Sequence, residues 1–230
     1  MEFFEARVTK IVQENSDTYS YYMEVPQGYT WKAGQHAVFA FRDLQVAEGE
    51  KADRIFTIAS APQEETLMFT TRICEQPSAF KAVLLSQVEV GTVMRVGQAL
   101  GRFDFKMAEY PKSLVIAGGI GITPIRALLK QYAGSYLDHA LTVLYSDDRG
   151  EFAYGDFWKE MQEQMPNLEL HLISERDEFT LFVSGYAAQT GNEAQYLIAG
   201  SPGMNNAFSQ SLQAQGIEKA NIAMDSFMGL

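Results

Sequence analysis

Apolar and polar residues follow two different rhythms along this chain. In the first half, "EARVTKIVQ", "YSYYMEV", "HAVFAF", "RIFTIA" and "TLMFTTRI" are short runs rich in β-branched and aromatic residues, separated by clusters of Gly, Pro, Asp and Glu. Such runs read as strands, and strands this closely spaced predict a small antiparallel barrel or sandwich. One segment breaks the series. "SAFKAVLLSQV" places Phe80, Val83, Leu84 and Val88 at helical spacing, with Ser78 at the N-cap position.

The second half alternates. The apolar run "SLVIAG" is followed by a helical pattern in "TPIRALLKQYAG". "ALTVLYS", "FAYGDFWKEMQEQM", "LELHLIS", "AQYLIAG", "NNAFSQSLQAQG" and "ANIAMDS" continue in the same manner. Strand and helix in turn predict a parallel sheet covered by helices. The fold expected is therefore two domains, an antiparallel β-barrel over residues 1–108 and an α/β domain over residues 109–230. The change of rhythm falls in "AEYPKS".

Three stretches carry the chemistry. "RIFTIAS" puts a cation, a ring and two hydroxyls on what reads as a strand; with period two, Arg54, Phe56, Ile58 and Ser60 share a face and Thr57 takes the other unless the strand ends there. "AGGIGITP" joins an apolar strand to a helix. Gly118, Gly119 and Gly121 permit a tight turn and close approach of a ligand. Thr123 is the expected N-cap and Pro124 the first helical residue, so the helix end would offer free N–H groups to a pyrophosphate. The spacing departs from G-x-G-x-x-G, and a tight turn without a ligand is the plain alternative. A second loop, "AGSPGMNNAF", also follows a strand and leads into a helix, so the two loops are expected to line one crevice.

Charge and cysteine content narrow the classes. The chain carries a formal net charge of −11 with 47% hydrophobic residues, a globular composition without the basic surface that nucleic acid requires. One cysteine, Cys74, excludes an internal disulfide and a four-thiolate cluster within the chain, and the three histidines show no ligand spacing. No basic n-region opens the chain, and the most apolar window is broken by glycines, a proline and Arg126. A soluble, cytoplasmic protein that does not span a membrane is the expectation.

The order R-x-F-T-x-x-S, G-G-x-G-I-T-P and G-x-P-G-M, with a carboxylate and an aromatic near the C-terminus, resembles the ferredoxin–NADP⁺ reductase superfamily over nearly the whole chain. "WKAGQ" and "VGQALGRF" resemble further segments of that family. The resemblance implies a flavin-binding barrel followed by an NAD(P)-binding domain. It implies that Arg54 pairs with the flavin phosphates, Phe56 packs on the flavin and Thr57 hydrogen-bonds its N5 atom. Ser60 completes that motif. Ser78 and the backbone around Thr71 and Ile73 would line the pyrophosphate, favouring FAD over FMN. Gly119, Gly121, Thr123, Pro124, Gly200 and Met204 would contact the nicotinamide nucleotide. Asp225 would place a carboxylate near the nicotinamide and Phe227 would shield the flavin ring. Three departures stand out: Phe56 where tyrosine is usual, Ala199 where many members have cysteine, and Asp225 where glutamate is common.

Either NADH or NADPH could be the donor. "SDDRG" carries acids that suit a free ribose 2′-hydroxyl, whereas Ser146 and Arg149 could grip a 2′-phosphate; Glu175 stands where the family's NADPH users often have arginine. The balance favours NADH. The expected function is passage of a hydride from NAD(P)H to FAD and of electrons to a separate acceptor: a redox protein, free flavin, a ferric chelate or a quinone. The rivals are a flavin- or nucleotide-binding sensor or subunit of a redox complex, and a nucleotide-binding protein with an empty barrel.

Overall fold

The structure is a computed structural model that describes residues 2–135 and 138–225. The chain forms two compact units, the first ending at Arg102 and the second beginning at Phe103.

The first unit contains β1 (Phe3–Gln13), β2 (Thr18–Met23), β3 (His36–Phe41), β4 (Asp53–Thr57), β5 (Leu67–Arg72), α1 (Ala79–Gln87) and β6 (Val93–Gly97). The strands are antiparallel in the order β4-β3-β6-β1-β2-β5. Just past β4, the Ala59 N–H donates to the Met68 carbonyl at 2.6 Å, so the two ends of the sheet meet and the barrel nearly closes. Its interior is aromatic. Tyr21 stacks on Phe69 at 5.0 Å, and Phe39 leans on Phe69 at 4.7 Å.

Strand β6 was not expected. "VMRVG" is short, carries Arg95 and ends in glycine, yet it sits between β3 and β1, with Met94 and Val96 fully buried. Burial against neighbours, which no local pattern reports, makes it a strand. The face expected of "RIFTIAS" also needs correction. Arg54 and Phe56 do share a half-buried face, but β4 ends at Thr57. There the chain leaves β3, with Ile58 bonding to Gln35 and Ala59 to Met68, and Ser60 lies beyond the strand.

The second unit is a five-stranded sheet in the order β11-β10-β7-β8-β9, and every pairing in it is parallel. Its elements are β7 (Lys112–Gly118), α2 (Ile122–Tyr132), β8 (Ala140–Ser146), α3 (Gly155–Gln164), β9 (Leu168–Ile173), α4 (Arg176–Thr190), β10 (Ala194–Ala199), α5 (Pro202–Ala214) and β11 (Ile222–Met224). The chain runs from β7 through β8 to β9, then crosses back to β10 on the far side of β7. The switch point of the sheet therefore lies between β7 and β10. Helix α4 was missed because its apolar residues do not keep to one face: Phe179, Val183 and Ala187, four residues apart, are buried, Phe182 and Tyr186 are half-buried, and Leu181 is exposed. Parallel β9 and β10 required such a crossover.

Candidate functional site

In the first unit, the motif residues gather where β4 meets β5 and α1. The Arg54 guanidinium donates to the carbonyls of Lys51 and Asp53 at 3.2 and 2.7 Å and lies over the Phe80 ring at 5.6 Å. Its Nε is buried and has no partner. Phe56 stacks face to face on Phe69 at 4.6 Å, so one face of that ring is committed to the core. Thr57 is buried, and its hydroxyl has no hydrogen bond among the described residues. The Ser60 hydroxyl is likewise buried and unpaired, while its carbonyl accepts from the Trp31 indole at 2.9 Å.

Ser78 occupies the N-cap position of α1 but makes no capping bond, which leaves the first N–H groups of the helix open. Thr71 and Ile73 are buried nearby. The Ile73 N–H is already spent on the Asp17 carbonyl at 2.7 Å, so it is not free for a phosphate. Two cations that the sequence reading did not single out complete the place. Lys81, on the first turn of α1, has its ammonium pKa lowered by burial and by the nearby charges of Arg54 and Arg72, partly offset by Cys74. Arg72 is paired with Asp17 at 2.7 Å. Three cations beside an open helix end, with one buried guanidinium nitrogen unpaired, fit a pyrophosphate. Lys81 could have been found from its place three residues after Ser78.

In the second unit, the carboxyl edge of the sheet brings together both glycine loops, Ser146, Arg149 and Asp225. The helix after the first loop begins two residues earlier than expected. Gly119, at φ 52°, starts a tight turn over Gly119–Gly121, and α2 runs on from Ile122. Thr123 is therefore not the N-cap, nor Pro124 the first helical residue. Pro124 has no N–H to offer the Ile120 carbonyl, and the Thr123 hydroxyl donates to that carbonyl instead at 3.0 Å. The second loop is capped: Ser201 accepts from the Met204 N–H at 3.2 Å, with Pro202 opening α5.

The two loops press on each other. A methyl group on Gly118 would meet the Met204 sulfur at 2.4 Å, one on Gly200 the same sulfur at 2.6 Å, and one on Gly121 the Ala199 carbonyl at 2.1 Å. Gly118 and Gly121 serve packing between the loops, and Gly200 makes room for Met204 within its own loop. Gly119 alone of the first loop has open space beside it.

Arg149 is held by its own turn. Its backbone N–H and guanidinium both reach Asp147, and Glu151 lies 3.6 Å away. Asp225, just past β11, is buried with no partner for its carboxylate among the described residues, and burial pushes its pKa up to about 7. The Asn205 amide donates to the Asp225 backbone carbonyl at 2.9 Å, tying the end of β11 to α5. Phe227 lies outside the described residues. Among the described residues no helix is long and apolar enough to cross a membrane, and no cluster of side chains suited to a metal ion occurs.

A nearly closed antiparallel barrel followed by a parallel sheet with glycine loops at its switch point is the ferredoxin–NADP⁺ reductase type of fold. The fold expected from the sequence is borne out. A ferredoxin–NADP⁺ reductase from Plasmodium falciparum, solved with 2'P-AMP, matches 97% of the chain and 95% of its own with a TM-score of 0.81 at 13% identity. Among curated proteins, the electron transfer component of toluate 1,2-dioxygenase from Pseudomonas putida is 26% identical over 194 residues, 80% of this chain and 56% of that protein. The reductase subunit of glycine betaine monooxygenase from Chromohalobacter salexigens is 26% identical over 180 residues, 75% of this chain and 46% of that protein. The chain thus spans about half the length of these curated relatives. No family model matches it.

Proposed function

We propose that the chain is an NAD(P)H-dependent flavoprotein reductase module that holds FAD in its first unit and the nicotinamide nucleotide in its second. The observation that carries this reading is the cation cluster at the open end of α1, next to the unpaired hydroxyls of Thr57 and Ser60. Bound FAD would supply hydride acceptance and release of electrons singly or in pairs.

The chain's own residues orient and neutralise. Arg54, Lys81 and the α1 N-terminus hold the phosphates, and the Ser78 hydroxyl adds a donor. Thr57 would offer its hydroxyl to the flavin ring, and Phe56 would give the ring an apolar neighbour. On the second unit, the open space beside Gly119 admits the nucleotide's phosphates. Asp225 keeps its proton below about pH 7, so it would offer a bound nucleotide an uncharged carboxyl in acid and a carboxylate above that.

NADH is the favoured donor. Asp147 and Glu151 already occupy the guanidinium of Arg149, and a 2′-phosphate would have to displace them. The acceptor is a redox protein or domain, as the electron-transfer roles named for the curated relatives suggest. The domain limits proposed from the sequence, 1–108 and 109–230, and a cytoplasmic location accompany this reading.

The test is an anaerobic visible spectrum of the purified protein before and after NADH or NADPH. A flavin spectrum that bleaches supports the reductase, and the faster nucleotide identifies the donor. A flavin that stays oxidised with both nucleotides rejects it in favour of a sensor or subunit. A protein that takes up no FAD rejects the flavin site itself.

A further inference from the structure

The last strand of the second sheet is short, and the residue just past it is better hidden than the strand itself. Strand β11 has three residues, paired with β10 from Tyr196↔Ile222 to Ile198↔Met224, and all three are half-buried or exposed. Asp225 follows them and is 7% exposed. Carboxylates are seldom buried without a partner, so more than the strand must keep this one in place. Its backbone is held on two sides. The Asp225 N–H donates to the Ile198 carbonyl of β10 at 2.9 Å, and the Asp225 carbonyl accepts from the Asn205 amide of α5, also at 2.9 Å.

Asn205 is not the residue that stability alone would select. It lies in the first turn of α5, with its own N–H on the Ser201 carbonyl at 2.9 Å. Asparagine is a weak helix former. Its side chain is buried, and the Oδ1 has no hydrogen-bond partner, an omission that weakens a fold. A methyl group on Gly200 would lie 3.5 Å from that oxygen, which sets Asn205 beside the second glycine loop. An apolar residue would fill the same space and leave no orphaned oxygen. What the amide adds is the donor for Asp225. That donor is turned to the backbone, so the carboxyl itself stays without a bond among the described residues. The strands β10 and β11 and the helix α5 carry no charged side chain along their lengths, so no cation answers Asp225 from the elements that hold it.

We propose that Asn205 is a positioning residue: it fixes Asp225 from the same helical turn that forms the second glycine loop, so that the carboxyl stands at a set place beside the bound nucleotide. The proposal rests on the reductase reading, in which that nucleotide is NADH or NADPH. One turn, from Ser201 to Asn205, thus carries both the loop that meets the nucleotide and the donor that holds the acid. Met204 of that turn also packs against Gly118 of the first loop. Both loops and the acid are therefore registered on one piece of helix.

The test compares Asn205→Ala and Asn205→Leu with Asp225→Asn. Alanine is the better helix former and leucine fills the space, so a change that both variants share is not one of folding. The first measurement is the melting temperature of the FAD-loaded protein from pH 4 to 8. The wild type should lose stability as pH rises toward 7, because the buried carboxyl releases its proton there. With its backbone freed, the acid reaches water, and this fall should shrink by at least about half in both variants. Adding Asp225→Asn to either should then change little more. The second measurement is the anaerobic rate of flavin bleaching by NADH, which should drop roughly ten- to a hundredfold in both variants. Isothermal titration with ADP-ribose, which lacks the nicotinamide, should give the wild-type affinity. A matching loss of ADP-ribose affinity would trace the defect to the loop and overturn the proposal. A wild-type pH dependence retained in both variants overturns it and leaves the reductase reading standing. So does an unchanged bleaching rate beside a flattened melting profile. A wild-type flavin that neither NADH nor NADPH bleaches rejects the reductase reading itself, and the proposal with it.

Discussion

Gly121 and Ala199, one on each glycine loop, approach so closely that a methyl group on the first would lie 2.1 Å from the carbonyl oxygen of the second. The obstacle is backbone at the switch point of a parallel sheet, where nothing can swing aside. Gly121→Ala should destabilise the protein by roughly 3 kcal/mol. Gly118→Ala meets only the flexible end of Met204 and should cost about 1 kcal/mol. Met204→Ala should rescue the Gly118 variant and leave the Gly121 variant unchanged. Denaturant melts of the four proteins and the double mutants read this directly.

Asp225 makes stability depend on pH. Burial raises its pKa from 3.8 to about 7, so between those values the folded chain holds a proton that the unfolded chain has released. Stability is then full below about pH 4, falls as pH rises toward 7, and levels off above it. The swing attributable to this residue is on the order of a few kcal/mol. Asp225→Asn should remove it and stabilise the protein at pH 8, which melting temperatures taken from pH 4 to 8 would record. A wild-type curve that does not fall over that range would contradict the assignment.

Arg54 and Lys81 should act together on flavin affinity. Arg54→Ala and Lys81→Ala are each expected to weaken FAD binding by roughly 10- to 100-fold, the worth of a charge-assisted contact. The loss should shrink as salt is raised for the more exposed partner. FAD titrations of the flavin-free protein, followed by flavin fluorescence, measure it. Unchanged affinity in both variants would remove the phosphates from this end of α1.

The donor preference rests on Asp147. Asp147→Asn keeps an oxygen for the Arg149 N–H but removes one of the two charges that hold the guanidinium, Glu151 being the other. Arg149 is then held less firmly and yields more readily to a 2′-phosphate. The ratio of flavin reduction rates with NADPH over NADH should rise by roughly tenfold. A wild-type protein that already prefers NADPH would reverse the reading of this turn.

Local pattern carried much of this architecture into view. The Phe80, Val83 and Leu84 spacing marked α1, and the run from Ser113 to Gly118 marked the strand before the first loop. What escaped was set by partners distant in sequence. Strand β6 owes its place to β1 and β3 on either side. Helix α4 hides its period because Phe182 and Tyr186 pack half-buried beside its buried stripe while Leu181 stands in water. Thr123 looked like a cap because Thr-Pro usually opens a helix, and only the left-handed Gly119 moved that start upstream. Lys81 and Arg72 were passed over because a cation on a helix or strand end is ordinarily a solvated charge. Their meaning comes from Arg54, brought beside them by the curl of the barrel.

That curl has a consequence of its own. The segment that carries Arg54 and Thr57 also supplies Ala59, whose N–H reaches across to Met68 where the ring of strands joins. A ligand gripping this segment pins the join, and a barrel that springs open there surrenders the ligand. A flavin held by Arg54 and Thr57 would therefore couple its retention to the closure of the ring. The exchange rate of the Ala59 amide with deuterated solvent is a gauge of how firmly the protein holds what it binds.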